Sequence, residues 1–146
     1  MKAITAALML SLSMMAFAQS SPEIIAVERA AAARGEAWAQ YNTGYMYANG
    51  EGAPQDNVIA VKWYRKAAEQ GYARAQSNLG YMYSKGAGVP EDKVMAYMWA
   101  NLAAAQGSEI AKENKGIYQK IMTPAQIAEA QTLSRECLAK DYKDCG

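Results

Sequence analysis

The sequence predicts an all-α fold: a short right-handed α-solenoid of stacked antiparallel helix pairs, closed by a C-terminal capping helix. Three observations predict it. Residues 35–70 align without a gap on residues 71–106, and 19 of the 36 positions are identical. Within each unit, small and apolar residues recur at helical spacing in two separate runs. Between the runs stand Gly-x-Gly, Pro and Asp in the same phase, residues that end one helix and begin the next. One such unit cannot bury its apolar face alone, whereas stacked copies can.

Residues 1–18 read as a signal peptide. Lys2 supplies the positive n-region, Ala3 to Phe17 form the apolar run, and Ala16-Phe17-Ala18 is a small-x-small cleavage pattern. The mature chain is expected to begin near Gln19. A membrane anchor is the competing reading, but the run is short for a span of about 20 residues and no basic stop-transfer cluster follows. With Lys2 removed, 14 basic residues balance 14 acidic ones. That neutral balance, without a basic cluster, argues against nucleic acid and against an anionic membrane surface as partners. An exported, periplasmic or secreted location is expected. There, Cys137 and Cys145 would pair as a disulfide. Two unpaired thiols are the alternative, and the absence of C-x-x-C argues against a redox pair.

Residues 19–34 read as the second helix of a partial unit. The first full unit, 35–70, opens with a helix from Ala37 to about Ala48 that carries Gln40, Thr43, Gly44 and Tyr47 on one face. Gly50-x-Gly52 ends it. Pro54 and the N-cap Asp56 start a second helix, which runs to about Glu69 with Ala60, Trp63, Tyr64, Ala67 and Ala68 on one stripe. Gly71 is expected to terminate it in the left-handed conformation. The second unit, 71–106, repeats this plan. Gly44 and Gly80 stand mid-helix, where glycine costs about 1 kcal/mol against alanine, so a neighbouring helix is expected to approach closely at both.

Residues 107–146 read as a partial unit followed by the cap. Ser108 to about Met122 is expected to be a helix carrying Ile110, Ile117 and Ile121. Thr123-Pro124 opens another, to about Lys140, with Ile127, Ala130, Leu133, Cys137 and Leu138. The second unit carries Met98, Asn101, Leu102 and Ala105 where the first has Lys62, Arg65, Lys66 and Glu69. An apolar outer stripe must be covered. The tail is the expected cover, with Met98 and Leu102 as a partner site the alternative.

The frame A-x-A-Q-x-x-x-G-x-M-Y-x-x-G-x-G-x-P-x-D-x-x-x-A-x-x-W-x-x-x-A-A resembles the Sel-1-like repeat, a relative of the tetratricopeptide repeat. It is carried by Ala37 to Ala68 and by Ala73 to Ala104. Thr43 departs from the usual Leu, and Ala100 replaces the tyrosine found at Tyr64. The resemblance implies a scaffold for protein–protein or protein–peptide interaction, acting in bacteria as an adaptor in envelope assembly, signalling or host contact.

Chemistry is scarce. The chain has no histidine, no S-x-x-K, and no third glycine or preceding strand beside its G-x-G pairs. Glu109 and Glu113 could form a carboxylate pair on one helix face, but Lys112 and Lys115 beside them read as a solvated surface. No catalytic, cofactor-binding or metal residue is assigned, and no enzyme activity is expected. The candidate surface is the concave wall lined by the first helix of each pair. Its positions off the repeat consensus are Trp38, Tyr41, Asn42, Tyr45 and Asn49, then Arg74, Ser77, Asn78, Tyr81 and Lys85. Tyr, Trp, Arg and Asn supply rigid contact area and hydrogen bonds at binding surfaces. The scaffold reading is that Trp38 and Tyr41 pack against the preceding half-unit, and that Tyr45 and Tyr81, which repeat at equivalent positions, belong to the frame as well. Two further functions remain open. One is an envelope hydrolase of β-lactamase-like type, by analogy with cysteine-rich relatives whose repeated cysteine pairs are missing here. The other is an immunity-like inhibitor of a secreted enzyme.

Overall fold

The computed structural model describes residues 21–146; the expected signal peptide, residues 1–18 with cleavage near Gln19, lies outside them. Among the described residues the chain forms seven helices and no strand. They are α1 (Pro22–Ala33), α2 (Ala37–Asn49), α3 (Asn57–Ala68), α4 (Ala73–Lys85), α5 (Lys93–Ala105), α6 (Glu109–Gln119) and α7 (Pro124–Ala139).

Local chemistry sets the boundaries. Asp56 and Asp92 accept hydrogen bonds from the amides of Ile59 and Met95, both at 3.0 Å, and so cap α3 and α5. Gly50 and Gly86 end α2 and α4 with φ of 71° and 62°. At the start of α7, the Thr123 hydroxyl accepts from the Gln126 amide while the Gln126 side chain accepts from the Thr123 amide. Helix α6 stops three residues short of the expected Met122. The amides of Lys120 and Ile121 turn back to the carbonyls of Ile117 and Tyr118, tightening the last turn ahead of Thr123-Pro124.

The order of packing is that of a helical stack: α1 on α2, α2 on α3, α3 on α4 and α4 on α5. Two glutamines common to both units staple each pair. Gln70 donates to the Gln40 side chain at 2.8 Å, and Gln106 donates to the Gln76 side chain at 2.9 Å. Each links the start of a first helix to the end of its partner, and burial makes such a satisfied polar pair specific for register. The mid-helix glycines do admit a close neighbour, and it is the partner within the same pair. A β-carbon on Gly44 would stand 2.7 Å from the Tyr64 ring. On Gly80 it would stand 2.9 Å from the Ala96 carbonyl oxygen, because Ala100 replaces the tyrosine and lets backbone meet backbone.

Both tail helices pack on α5. Met98 and Leu102 are buried in one apolar cluster with Tyr118 and Met122 from the α6 segment and with Ala130 and Cys137 from α7. The tail is therefore their cover, and neither is available to a partner. Helix α7 does not complete a third pair with α6; it crosses the outside of α5. Beyond it, Cys137 and Cys145 are joined by a disulfide, and the tail reaches α3. Lys143 donates to the Glu69 carbonyl at 2.6 Å, and Arg65 donates to the Gly146 carbonyl. Closing so short a ring stabilises the chain by about 2–3 kcal/mol on the loop-entropy model.

One expectation for the tail fails. Ile110, Ile117 and Ile121 were expected among the residues that close the stack, yet they are 63%, 54% and 58% exposed. The buried face of the α6 segment is instead Ala111, Tyr118 and Met122. Leu138 on α7 is likewise exposed.

Candidate functional site

The first helices α2, α4 and α6 present one side that the second helices do not cover. Along it, large side chains stand in the open: Trp38 and Tyr45 on α2 are 42% and 43% exposed, and Tyr81 on α4 is 50% exposed. The face is indented. A depression of about 410 Å³ lies between α2 and α4, lined by Tyr45, Asn49, Tyr64, Asn78, Tyr81 and Lys85 among others. A second of about 410 Å³ reaches from Tyr41 across Arg74, Ser77 and Asn78 to Ser108, Glu109 and Ile110. Asn78 borders both.

The ten residues singled out by the sequence divide into two groups. Trp38, Tyr45, Asn49, Arg74, Tyr81 and Lys85 are exposed on this side. The other four are engaged internally. The Tyr41 ring lies 5.8 Å from Tyr64 and 5.4 Å from Tyr72, in an aromatic cluster that ties α2 to α3 and α4. Asn42 donates to the Glu28 carboxylate of α1 at 3.0 Å. Asn78 is half-buried beside Tyr64. Ser77 is a correction: it is 3% exposed, because a serine in the phase of Tyr41 is too short to reach the surface. Trp38 is not packed away. Its indole N–H donates to Glu36 at 3.0 Å, and its ring borders a shallow apolar patch with Ile24 and Val27 of α1. The Arg34 guanidinium, followed by the Trp38 indole, holds the Glu36 carboxyl below its usual range.

Three exposed residues of this side were read from the sequence as part of the tail and not as part of the candidate surface. Ile110, Ile117 and Ile121 stand 36 residues after Arg74, Tyr81 and Lys85, and 72 after Trp38, Tyr45 and Asn49. The signal was available: Gly116 keeps the phase of Gly44 and Gly80, so the repeat frame extends through α6 even where its identities fade.

Tyr64 forms the floor of the first depression. Burial pushes its phenol up to about 12, and the Asn78 side chain only partly opposes this. The folded state keeps this phenol neutral where the unfolded chain ionises it near pH 10. The stability it contributes is therefore complete below about pH 10 and lost as pH rises towards about 12. Tyr64→Phe is expected to reduce the alkaline loss of unfolding free energy by on the order of 1–2 kcal/mol, read from urea unfolding at about pH 9 and about pH 11.5. An unchanged pH dependence would contradict the assignment.

A Sel1 repeat model matches residues 39–72 and 73–108. A solved Sel1 repeat protein from Oxalobacter formigenes is 44% identical, with a TM-score of 0.60, over 61% of this chain and 67% of that one. The chain belongs to the Sel1 repeat family. A protective antigen present in uropathogenic Escherichia coli strains, displaying an SLR fold, is 37% identical with a TM-score of 0.77. The match covers 83% of this chain but 26% of that protein, so the chain spans about a quarter of its length. No curated protein matches the chain. Sel1 repeat proteins are generally non-catalytic scaffolds for protein–protein interaction. In this Sel1 repeat protein, no helix among the described residues is long and apolar enough to cross a membrane.

Proposed function

We propose that this Sel1 repeat protein is an exported scaffold that captures another protein or peptide on the face of its first helices, as an adaptor or regulator in a bacterial envelope. The observation that carries the reading is the set of exposed aromatic side chains Trp38, Tyr45 and Tyr81 on one indented side, beside Arg74 and Lys85. Aromatic and arginine side chains contribute most where a partner excludes water around them. The disulfide supports an oxidising compartment, and hence export.

Replacement of Tyr45, Arg74 and Tyr81 by alanine is expected to abolish partner capture in native-envelope crosslinking, with helicity and melting temperature unchanged. All three side chains are exposed, so their loss leaves the core intact. Capture that survives the triple change sinks the proposal.

A further inference from the structure

Helix α6 is polar in one direction and apolar in another. At the positions that α2 and α4 turn towards their own second helix, α6 carries Lys112 and Gln119, both exposed. That is the polar finish a stack needs at a free end. On the first-helix face, the same helix displays Ile110 and Ile117 to solvent, and Ile121 stands exposed in the turn just past its end. An apolar row left exposed on a helix whose other apolar face, Ala111 and Tyr118, is already buried marks a surface that something covers. The row continues the rungs formed by Tyr45 and Tyr81 and by Asn49 and Lys85, one helix further along.

The electrostatics narrow the occupant. Lys85 is the one charged side chain lining the depression between α2 and α4. Among the described residues no carboxylate pairs with it, and its ammonium lies 5.7 Å from the Tyr81 ring centroid. Ile121 follows the end of α6 in the repeat phase of Lys85; α6 touches α4, and helices in contact have axes about 10 Å apart. That separation is about three residues of extended chain.

We infer that α4 and α6 together receive a partner segment that places an acidic side chain on Lys85 and an apolar one on Ile117 and Ile121. The inference rests on the proposed capture face and specifies the chemistry of what is captured there.

The test uses two synthetic peptides, one with Leu and Glu about three residues apart, the other with Lys in place of Glu. Backbone amide shifts of the disulfide-intact protein report binding. The Glu peptide is expected to shift Tyr81, Lys85, Ile117 and Ile121, and the Lys peptide to leave them unmoved. Lys85→Glu should reverse that preference, and Ile117→Asp should weaken the Glu peptide by at least about tenfold. Lys120→Ala, on the exposed end of the segment, should change nothing. Equal binding of the two peptides, or shifts confined to another face, overturns the inference. So does a wild-type dimer that Ile117→Asp converts to monomer in sedimentation, because a second copy would then be the cover. If Tyr45 and Tyr81 variants abolish native capture while Ile117→Asp does not, the capture face stands and only its extension onto α6 falls.

Discussion

Trp99→Ala is expected to lower the unfolding free energy by about 3–5 kcal/mol, the cost of emptying a large site in a packed interior. Trp99 is wholly buried, in the cluster that joins α3, α4, α5 and both tail helices. Its phase-mate Trp63 provides the control. That ring is half-buried against Ala31, Ala32 and Ala39, with the Lys66 ammonium 4.5 Å from its centroid. Trp63→Ala should cost about half as much, in proportion to the apolar area it removes from contact. Urea unfolding of the two variants measures the difference, and equal losses would mean that α7 adds little to the packing around α5. The indole N–H of Trp99 has no hydrogen-bond partner, so Trp99→Phe should be milder than Trp99→Ala on two counts.

The second large effect concerns the glycine that recurs in phase. Gly80→Ala is expected to destabilise by about 1–3 kcal/mol, since the new β-carbon would meet the Ala96 carbonyl oxygen, a backbone atom that cannot swing aside. At Gly44 the obstacle is the ring of Tyr64, and Gly44→Ala should fall in the same range unless that ring re-seats. Gly116→Ala should do the opposite. Nothing lies within 4 Å of its would-be β-carbon, so alanine brings better helix propensity, and a gain of up to about 1 kcal/mol is expected. One residue type in one phase thus gives opposite signs, decided by whether a second helix packs there. A loss at Gly116 equal to that at Gly80 would show that the third pair is completed in solution.

Much of this architecture was legible because punctuation is local. Asp56, Asp92, Gly50 and Gly86 act through their own neighbours in the chain, and each helix begins or ends where those residues require. The direction of the tail was not legible. Ile110, Ile117 and Ile121 suit an inward-facing stripe equally well if α7 lies against them, and spacing alone cannot say where α7 goes. Ala111, Tyr118 and Met122 win the buried face because α6 docks on α5 as α4 docks on α3. The first helices were legible in outline, and the ten candidate residues lie on them. Ser77 and Tyr41 show the limit: identical phase does not give identical reach, and packing with Tyr64 and Tyr72 turns Tyr41 into scaffold.

The tail's return to α3 changes how the molecule should come apart. A plain stack of repeats transmits stability only between neighbours, so its ends can melt while its middle holds. Here α7 lies on the second unit while Lys143 and Gly146 grip the first, and the Cys137–Cys145 ring holds that grip. The two units are thereby joined by the tail as well as by the direct packing of α3 on α4. Unfolding should follow as a single all-or-none event in the oxidised protein. On reduction, amide exchange in α3 is expected to quicken ahead of α5, dissolving one cooperative block into two.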